Sequence, residues 1–509
     1  MSRVLKRKIA EAQNYEQWKE AALAYDLHYG LDEWKNTEET SRYDYQAIRQ
    51  ALDDLQSARK NNNNAKLLFT LNEGIHGNLG GMGSSHLYQK AKFGTKQLIV
   101  DYVNEVSSAL KHLAKPRIKG VQLKEKVDFF HRAHLCFGQS ALMFSGSGTF
   151  VFFHVGVLKA LWEQDLIPDV ISGASGGALI AAAAGTRKKE DLGKIFTPAF
   201  LSFQKELQAI AKSLTFGSRS KARQKDLVTI IEKVIPDVTF AQAYQISGFK
   251  INISIAPYQK HQKSRLLNAI TSPNVMVREA VLASCSIPGV FRAVRLAARN
   301  VDGERVPYLP NRKWIDGSFS ADLPFKQLSR LYDVNHSIVS QTNPLVLPFV
   351  HAEKNDRRLI STISKASLST MKTWGLASST VLNFAFKSNR RFSKLLNSYK
   401  ALLSQTYAGD INILPSSRLI NPIQALSTRS PEEIIEMVHE GERATWQMIE
   451  RIRIQTQISQ TLNHLIEQLD QDIIKHGKMS ETQPKQQKKE KLALVSQTKP
   501  NKKTAKPND

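Results

Sequence analysis

The stretch Val170-Ile171-Ser172-Gly173-Ala174-Ser175-Gly176-Gly177-Ala178-Leu179-Ile180 leaves the fewest options for how this chain can fold. Val170 and Ile171 are β-branched and suit the end of a buried strand. Small residues at 173–177 then surround one serine, and 178–184 follow as an apolar, alanine-rich helix stopped by Gly185. Strand, tight turn and helix in that order make a nucleophile elbow, in which the turn pushes a serine hydroxyl out at a strained backbone position. Gly173, Gly176 and Gly177 remove the Cβ atoms that would clash in so sharp a turn. The helix N-terminus beside Ser175 leaves N–H groups that suit an oxyanion. A bare Gly-x-Ser-x-Gly pattern is weak; the apolar strand before it, the helix after it and the extra Gly177 strengthen it. The plainer alternative is a strand–helix turn that merely needs small residues.

Composition sets the outer bounds. The 509 residues, 41% of them hydrophobic, suffice for a large core in two or three domains. A formal net charge of +25 favours anionic surfaces: phospholipid membranes, a charged lipid interface or nucleic acid. Ten lysines against three acids between residues 475 and 509 explain only part of that excess. Cys136 and Cys285 are too few for a disulfide framework and read as small buried residues in a reducing compartment. With no metal-ligand spacing of Cys and His, neither a metal nor a cofactor is expected. The basic N-terminus lacks the apolar run of a secretory signal. No stretch of about 18 apolar residues exists to span a bilayer. The expectation is a cytoplasmic protein that touches membranes peripherally.

Taken in order, residues 1–115 read as a helical region. Tyr15, Trp18, Ala22, Tyr25 and Tyr29 recur at three- and four-residue intervals, a stripe expected to be core. Leu52 and Leu55 fit a second helix, Leu67, Leu68 and Leu71 a third, and a long helix covers 96–112. A helix over 123–134 leads into an α/β domain at 136–345. There, strands at 140–145, 249–256 and 334–341, with a partner at 266–270, alternate with helices at 150–162, 188–215, 226–234 and 275–284. That alternation argues for a mostly parallel sheet covered on both faces. Residues 346–475 read as a mainly helical region completing the fold. It carries a basic cluster at Arg390, Arg391 and Lys394, a strand at 410–414 and a helix starting at Pro431 after Ser430. Residues 476–509 are too polar to fold alone and read as a disordered basic tail.

A serine nucleophile needs a base and an oxyanion hole. Gly146-Ser147-Gly148-Thr149 follows an apolar strand and opens a helix, so its N–H groups are the oxyanion candidates. Each well-placed donor lowers the barrier by roughly 3 kcal/mol. A dinucleotide fingerprint competes for the same turn, but it needs a third glycine where Val151 stands. For the base, Asp316 sits in a strand–turn setting with Gly317 beside it, which leaves the carboxylate unobstructed. A carboxylate has an ordinary pKa of about 4, and a dry apolar site raises it toward a serviceable base. The alternative is a triad in the order Ser175, Asp316, then His336 or His351.

Together, Gly173-Ala174-Ser175-Gly176-Gly177, the glycine turn running into His154-Val155-Gly156-Val157-Leu158-Lys159, the segment Ser284-Cys285-Ser286-Ile287-Pro288-Gly289-Val290-Phe291 and Asp316-Gly317 resemble a patatin-like phospholipase domain. The N-terminal block, with Tyr15-Glu16-Gln17-Trp18 and residues 26–34, is similar to the region that precedes this domain in yeast and plant triacylglycerol lipases. The resemblance covers residues 10–420. It implies a three-layer α/β sandwich with flanking helical regions, and a Ser–Asp dyad without histidine. Ser175 is then the nucleophile, Asp316 the base, an acyl-enzyme the intermediate and a glycerolipid ester the substrate, met at a membrane or lipid-droplet surface. Two departures stand out: Val151 where the family's glycine turn usually ends in glycine, and Ser318 where Gly or Ala usually follows Asp-Gly. Neither removes a catalytic side chain; both bear on oxyanion geometry or rate. The expected activity is hydrolysis of triacylglycerol or phospholipid esters, the alternatives being a lipid acyltransferase and a catalytically weak lipid-surface scaffold. The charge comes with no nucleic-acid recognition module, and the oligomeric state is open.

Overall fold

The computed structural model describes residues 2–75, 77–197, 206, 220–259, 262–288, 290–344, 346–347, 409–416 and 429–471. His351, the basic cluster at Arg390, Arg391 and Lys394, and the tail at 476–509 lie outside them. Contacts gather the chain into two units that interleave in sequence. One comprises Met1–Tyr45, Asn78–Val100 and Gly138–Thr456, the other Gln46–Gly77, Asp101–Phe137 and Gln457–Asp509.

The larger unit opens with helices α1 (Ser2–Glu11), α2 (Tyr15–His28) and α3 (Leu31–Asn36). On α2, Tyr15, Trp18 and Ala22 are buried as their spacing requires, but Tyr25 is half-buried and Tyr29 exposed. The stripe fails at its end because the helix stops at His28 and Tyr29 is its C-cap. Asp26, fully buried on the same helix, accepts the N–H groups of Lys92 at 2.7 Å and Phe93 at 2.9 Å and pairs with Lys35 at 3.0 Å. A buried carboxylate held this way is satisfied rather than reactive.

The smaller unit is helical, built from α4 (Tyr45–Lys60), α5 (Asn64–Gly74), most of α6 (Gln97–Ala114) and α7 (Leu123–Phe137). Leu52, Leu55, Leu67, Leu68 and Leu71 are buried. Arg59 forks onto Glu105 at 2.6 and 2.8 Å. Helix α7 buries Phe129, Phe130, Ala133 and Phe137 and leaves Leu135 and Cys136 exposed, so Cys136 is not the small buried residue expected of it.

The sheet belongs to the larger unit. Its strands are β1 (Gln139–Phe144), β2 (Val170–Gly173), β3 (Lys250–Pro257), β4 (Arg265–Leu267), β7 (Trp314–Asp316), β8 (Val334–Ser340) and β9 (Ile411–Ile413); β5 (Leu296–Arg299) and β6 (Arg305–Tyr308) form a separate hairpin. The order is β4-β3-β2-β1-β8-β9, with β7 also on β3. Pairs among β3, β2, β1, β8 and β9 are parallel, and β4 and β7 run antiparallel to β3. Period two along β1 divides the core. Leu142 and Phe144 join the large cluster with α8 (Val151–Glu163) and α9 (Gly176–Gly185). Ala141 and Met143 join a smaller one with Leu328 and Tyr332 of the helix Phe325–Tyr332. Helices therefore cover both faces, which is why β1 is buried at every position.

Of the 188–215 stretch expected to be helical, the start is described. Its described part, Lys189–Phe196, is 3₁₀, and most of the remainder lies outside the described residues. A helix starts at Pro431 after Ser430, as the sequence implies, and the structure adds a capping box between Ser430 and Glu433. No helix among the described residues is long and apolar enough to cross a membrane.

The parallel strands end together. Phe144 stands opposite both Gly173 and Ser340, and Gly173 opposite Ile253. The chain leaves β1 on one side for β2 and β3 and returns on the other for β8 and β9. The carboxyl end of β1 is thus a topological switch point, where open α/β sheets hold their ligands.

Candidate active site

Ser175 has φ 52° and ψ −124°, off the ordinary regions for a side-chain-bearing residue. Strain of this kind costs on the order of 1–3 kcal/mol and persists only where the surroundings over-determine it. Here they do. Ser175 N–H donates to Ser284 Oγ at 2.9 Å, the Ser284 hydroxyl donates to Ser254 O at 2.7 Å, and the Cys285 thiol donates to Ser175 O at 3.2 Å. Two of the three glycines around it, Gly173 and Gly177, are forced by close approach of backbone, and Gly176 faces a side chain that can turn aside. A Cβ on Gly173 would lie 2.4 Å from Gly177 O, on Gly177 2.3 Å from Phe144 O, and on Gly176 2.1 Å from Ser147 Oγ. Ser284 was quoted in the sequence without a role; its job is to hold the elbow. Ser284→Ala removes the acceptor of the buried Ser175 N–H and a donor to Ser254 O, and is expected to lower unfolding free energy by about 2 kcal/mol, read as a fall in the urea midpoint.

Asp316 reaches the same place from the other edge of β3, where it pairs opposite Ile255. Gly317 makes this possible: a Cβ there would sit 2.1 Å from Ser254 O. The Asp316 carboxyl is buried and accepts Ser318 N–H at 2.8 Å and Ser318 Oγ–H at 2.7 Å. Burial pushes its pKa up to about 6, while hydrogen bonds from Ser318 and, more weakly, from the Ser175 hydroxyl pull it part of the way back. A carboxylate poised near 6 is a better acceptor of a serine proton at neutral pH than an ordinary one.

The glycine turn lies against the elbow, since Gly176 packs on Ser147 Oγ and Gly148 O. One of its four expected oxyanion donors is lost. Gly146 N–H donates to Asp322 Oδ1 at 2.7 Å and is fully used. Ser147 and Gly148, the latter at φ 55°, have N–H groups without a hydrogen bond among the described residues, as does Gly176 at the start of α9. Thr149 is buried in the 3₁₀ turn Gly148–Phe150. Val151, the first residue of α8, has φ −52° and ψ −29°, an ordinary helical conformation, so no glycine is needed there.

The described histidines His154 and His336 support the sheet rather than the serine. His154 is fully buried: Nδ1 meets Ser340 Oγ at 2.7 Å and Nε2 meets Ser145 O at 3.0 Å and Thr342 Oγ1 at 3.0 Å. Burial pushes its pKa down to about 3, so it is neutral and braces the start of the glycine turn. His336 bonds Ser140 Oγ at 2.9 Å and Gln455 Oε1 at 3.0 Å. Ser140 is four residues before Phe144 on β1, about 13 Å at strand rise, so His336 is at the wrong end of the sheet for a triad. Asp322, Asn343, His154 and Ser284 are the site residues that sequence reasoning missed.

Residues 142–329 match the patatin-like phospholipase family, and residues 1–135 match DUF3336, a domain of unknown function. The chain is 31% identical over 469 residues to triacylglycerol lipase ptl2 of Schizosaccharomyces pombe, covering 89% of this chain and 73% of that protein. It is 31% identical over 478 residues to triacylglycerol lipase ptl3 of the same yeast, covering 90% and 94%. With triacylglycerol lipase 4 of Saccharomyces cerevisiae it shares 33% over 465 residues, covering 87% and 50%. Similarity of that extent, running through the N-terminal helices as well as the sheet that carries Ser175, means that the chain belongs to the patatin-like phospholipase family.

Proposed function

We propose that this chain, an ester hydrolase by family, cleaves acyl esters of glycerolipids, triacylglycerol or phospholipid, through a Ser175–Asp316 dyad and an acyl-enzyme. The observation that carries the reading is a serine held at a strained elbow on one side of β3 and a buried, pKa-raised Asp316 carboxyl at the end of β7 on the other. Asp316 takes the Ser175 proton as Oγ attacks the ester carbonyl. The oxyanion forms beside the N–H groups of Ser147, Gly148 and Gly176. Collapse breaks the ester bond, Asp316 returns the proton to the departing alcohol, and the acyl group stays on Ser175. Water then attacks, Asp316 takes its proton, and the fatty acid leaves as Ser175 recovers its hydrogen. The relatives named triacylglycerol lipase support a neutral glycerolipid as substrate. The net charge of +25 supports docking on an anionic lipid surface from the aqueous side.

A fluorophosphonate probe tests the mechanism: the wild type is expected to label and Ser175→Ala not to. The lipid is then chosen by release of fatty acid from triacylglycerol, phospholipid and lysophospholipid, with and without a lysolipid acceptor. An unlabelled but folded wild type sinks the reading; acyl groups passed to the acceptor in preference to water turn it into acyl transfer.

A further inference from the structure

A second carboxyl group is buried beside Asp316. Asp322 is 1% exposed; its Oδ1 accepts Gly146 N–H at 2.7 Å, and its Oδ2 accepts the Asn343 side-chain amide at 3.0 Å. Gly146 also packs on Ser318, since a Cβ there would lie 2.9 Å from Ser318 Cβ and 3.6 Å from Asp322 Oδ1. Ser318 in turn donates twice to Asp316. One short segment thus grips the base at one end and the glycine turn at the other. We propose that ionised Asp322 is a positioning residue: it fixes the glycine turn so that the Ser147 and Gly148 N–H groups stay aligned beside Ser175, and it acts on substrate only through that turn. The inference rests on the acyl-hydrolase reading above.

The ionised form matters because both oxygens face donors. Protonation removes the negative charge and turns one oxygen into a donor, so the bonds from Gly146 N–H and the Asn343 amide lose their charge assistance and the grip on the turn weakens. Burial pushes the Asp322 pKa up to about 7; Gly146 and Asn343 pull it back, and the neighbouring Asp316 charge adds to the rise. Among the described residues, two further titratable groups beside these acids are uncharged. The Cys285 thiol is held protonated by burial and by Asp316, and His154, across Ser145, is neutral. Full activity needs both ionised, so the acid limb of kcat/KM falls with a limiting slope of two.

The test is Asp322→Asn in the full chain. The expected result is a fall in kcat of about 100-fold, the scale of losing one oxyanion donor, with KM nearly unchanged and the limiting slope reduced to one. The paired exchange Asp322→Asn with Asn343→Asp keeps a donor and an acceptor on each side and is expected to recover about ten-fold of the lost kcat; it also serves if the single variant fails to fold. A wild-type kcat and a slope of two in Asp322→Asn, or a folded exchange variant that recovers nothing, overturns the proposal. Fluorophosphonate labelling separates the two failures: an unlabelled wild type removes the acyl-hydrolase reading, whereas a labelled wild type beside an unaffected Asp322→Asn removes only the role of Asp322.

Discussion

Replacing Asp316 by asparagine is expected to lower turnover by about 10⁴-fold, the scale on which removing a member of such a catalytic unit acts. The amide keeps the shape and still accepts from Ser318, which donates from both N–H and Oγ–H. What it cannot do is take a proton. In the wild type only the ionised form of Asp316 is active, so its ionisation, raised by burial to about 6, contributes one of the two steps on the acid limb of kcat/KM, the other being that of Asp322 at about 7. A histidine base would require a different residue to matter. His336→Ala should therefore keep turnover within about two-fold, because its imidazole is engaged with Ser140 and Gln455. The measurement is kcat/KM against pH for wild type and both variants. Full activity in Asp316→Asn, or loss in His336→Ala with the fold intact, would reverse the assignment.

The same substitution should make the protein more stable in mild alkali. The pKa of Asp316 is raised from 3.8 to about 6 on folding. Between those values the folded state keeps a proton that the unfolded state has released, so stability is lost as pH rises through that window. Two pKa units correspond to about 3 kcal/mol at most. Asparagine escapes the penalty but must place an amide, so a net gain of about 2 kcal/mol at pH 8 is expected, vanishing near pH 4. Urea unfolding at the two pH values reads it. The group that does the chemistry is thus one that the fold would be better off without.

Local features of this site are legible in the sequence; those that depend on distant partners are not. The elbow is legible because strand, glycines, serine and helix are consecutive, and Gly317 marks Asp316 for the same reason. Gly146 reads as an oxyanion donor only until Asp322, 176 positions away, is seen to occupy its N–H. Chain order alone permits His336 in a triad; the β1–β8 register, which sets it opposite Ser140, does not. The β5–β6 hairpin escapes notice because each strand is four residues long and only alternately or partly buried, too short for a period to show. Val151 looks like a lost glycine in the motif, yet its backbone is helical and needs none.

Gly156 carries the largest stability effect expected outside the site. In sequence it is a helix-weakening residue in the middle of α8. Its reason lies in the helix Pro431–Trp446. A Cβ on Gly156 would stand 1.9 Å from Val438 O and 2.9 Å from Glu442 N, and one on Gly441 would stand 2.2 Å from Phe153 O and 3.1 Å from Gly156 Cα. These neighbours are backbone and cannot rotate aside, so any side chain must push the helices apart. Separation also pulls on Glu442, buried at the crossing and paired with Lys159 and His439. Gly156→Val is therefore expected to cost about 4 kcal/mol or more. Gly441→Ala should cost less, and the double variant less than the two together, because helices already separated accommodate the second side chain. Additive urea midpoints would mean that the two glycines do not share one contact. Helix α8 starts where the glycine turn ends, so its displacement also shifts the Ser147 and Gly148 N–H groups. The folded fraction of Gly156→Val should lose kcat with little change in KM, the pattern of a transition-state contact moved out of line.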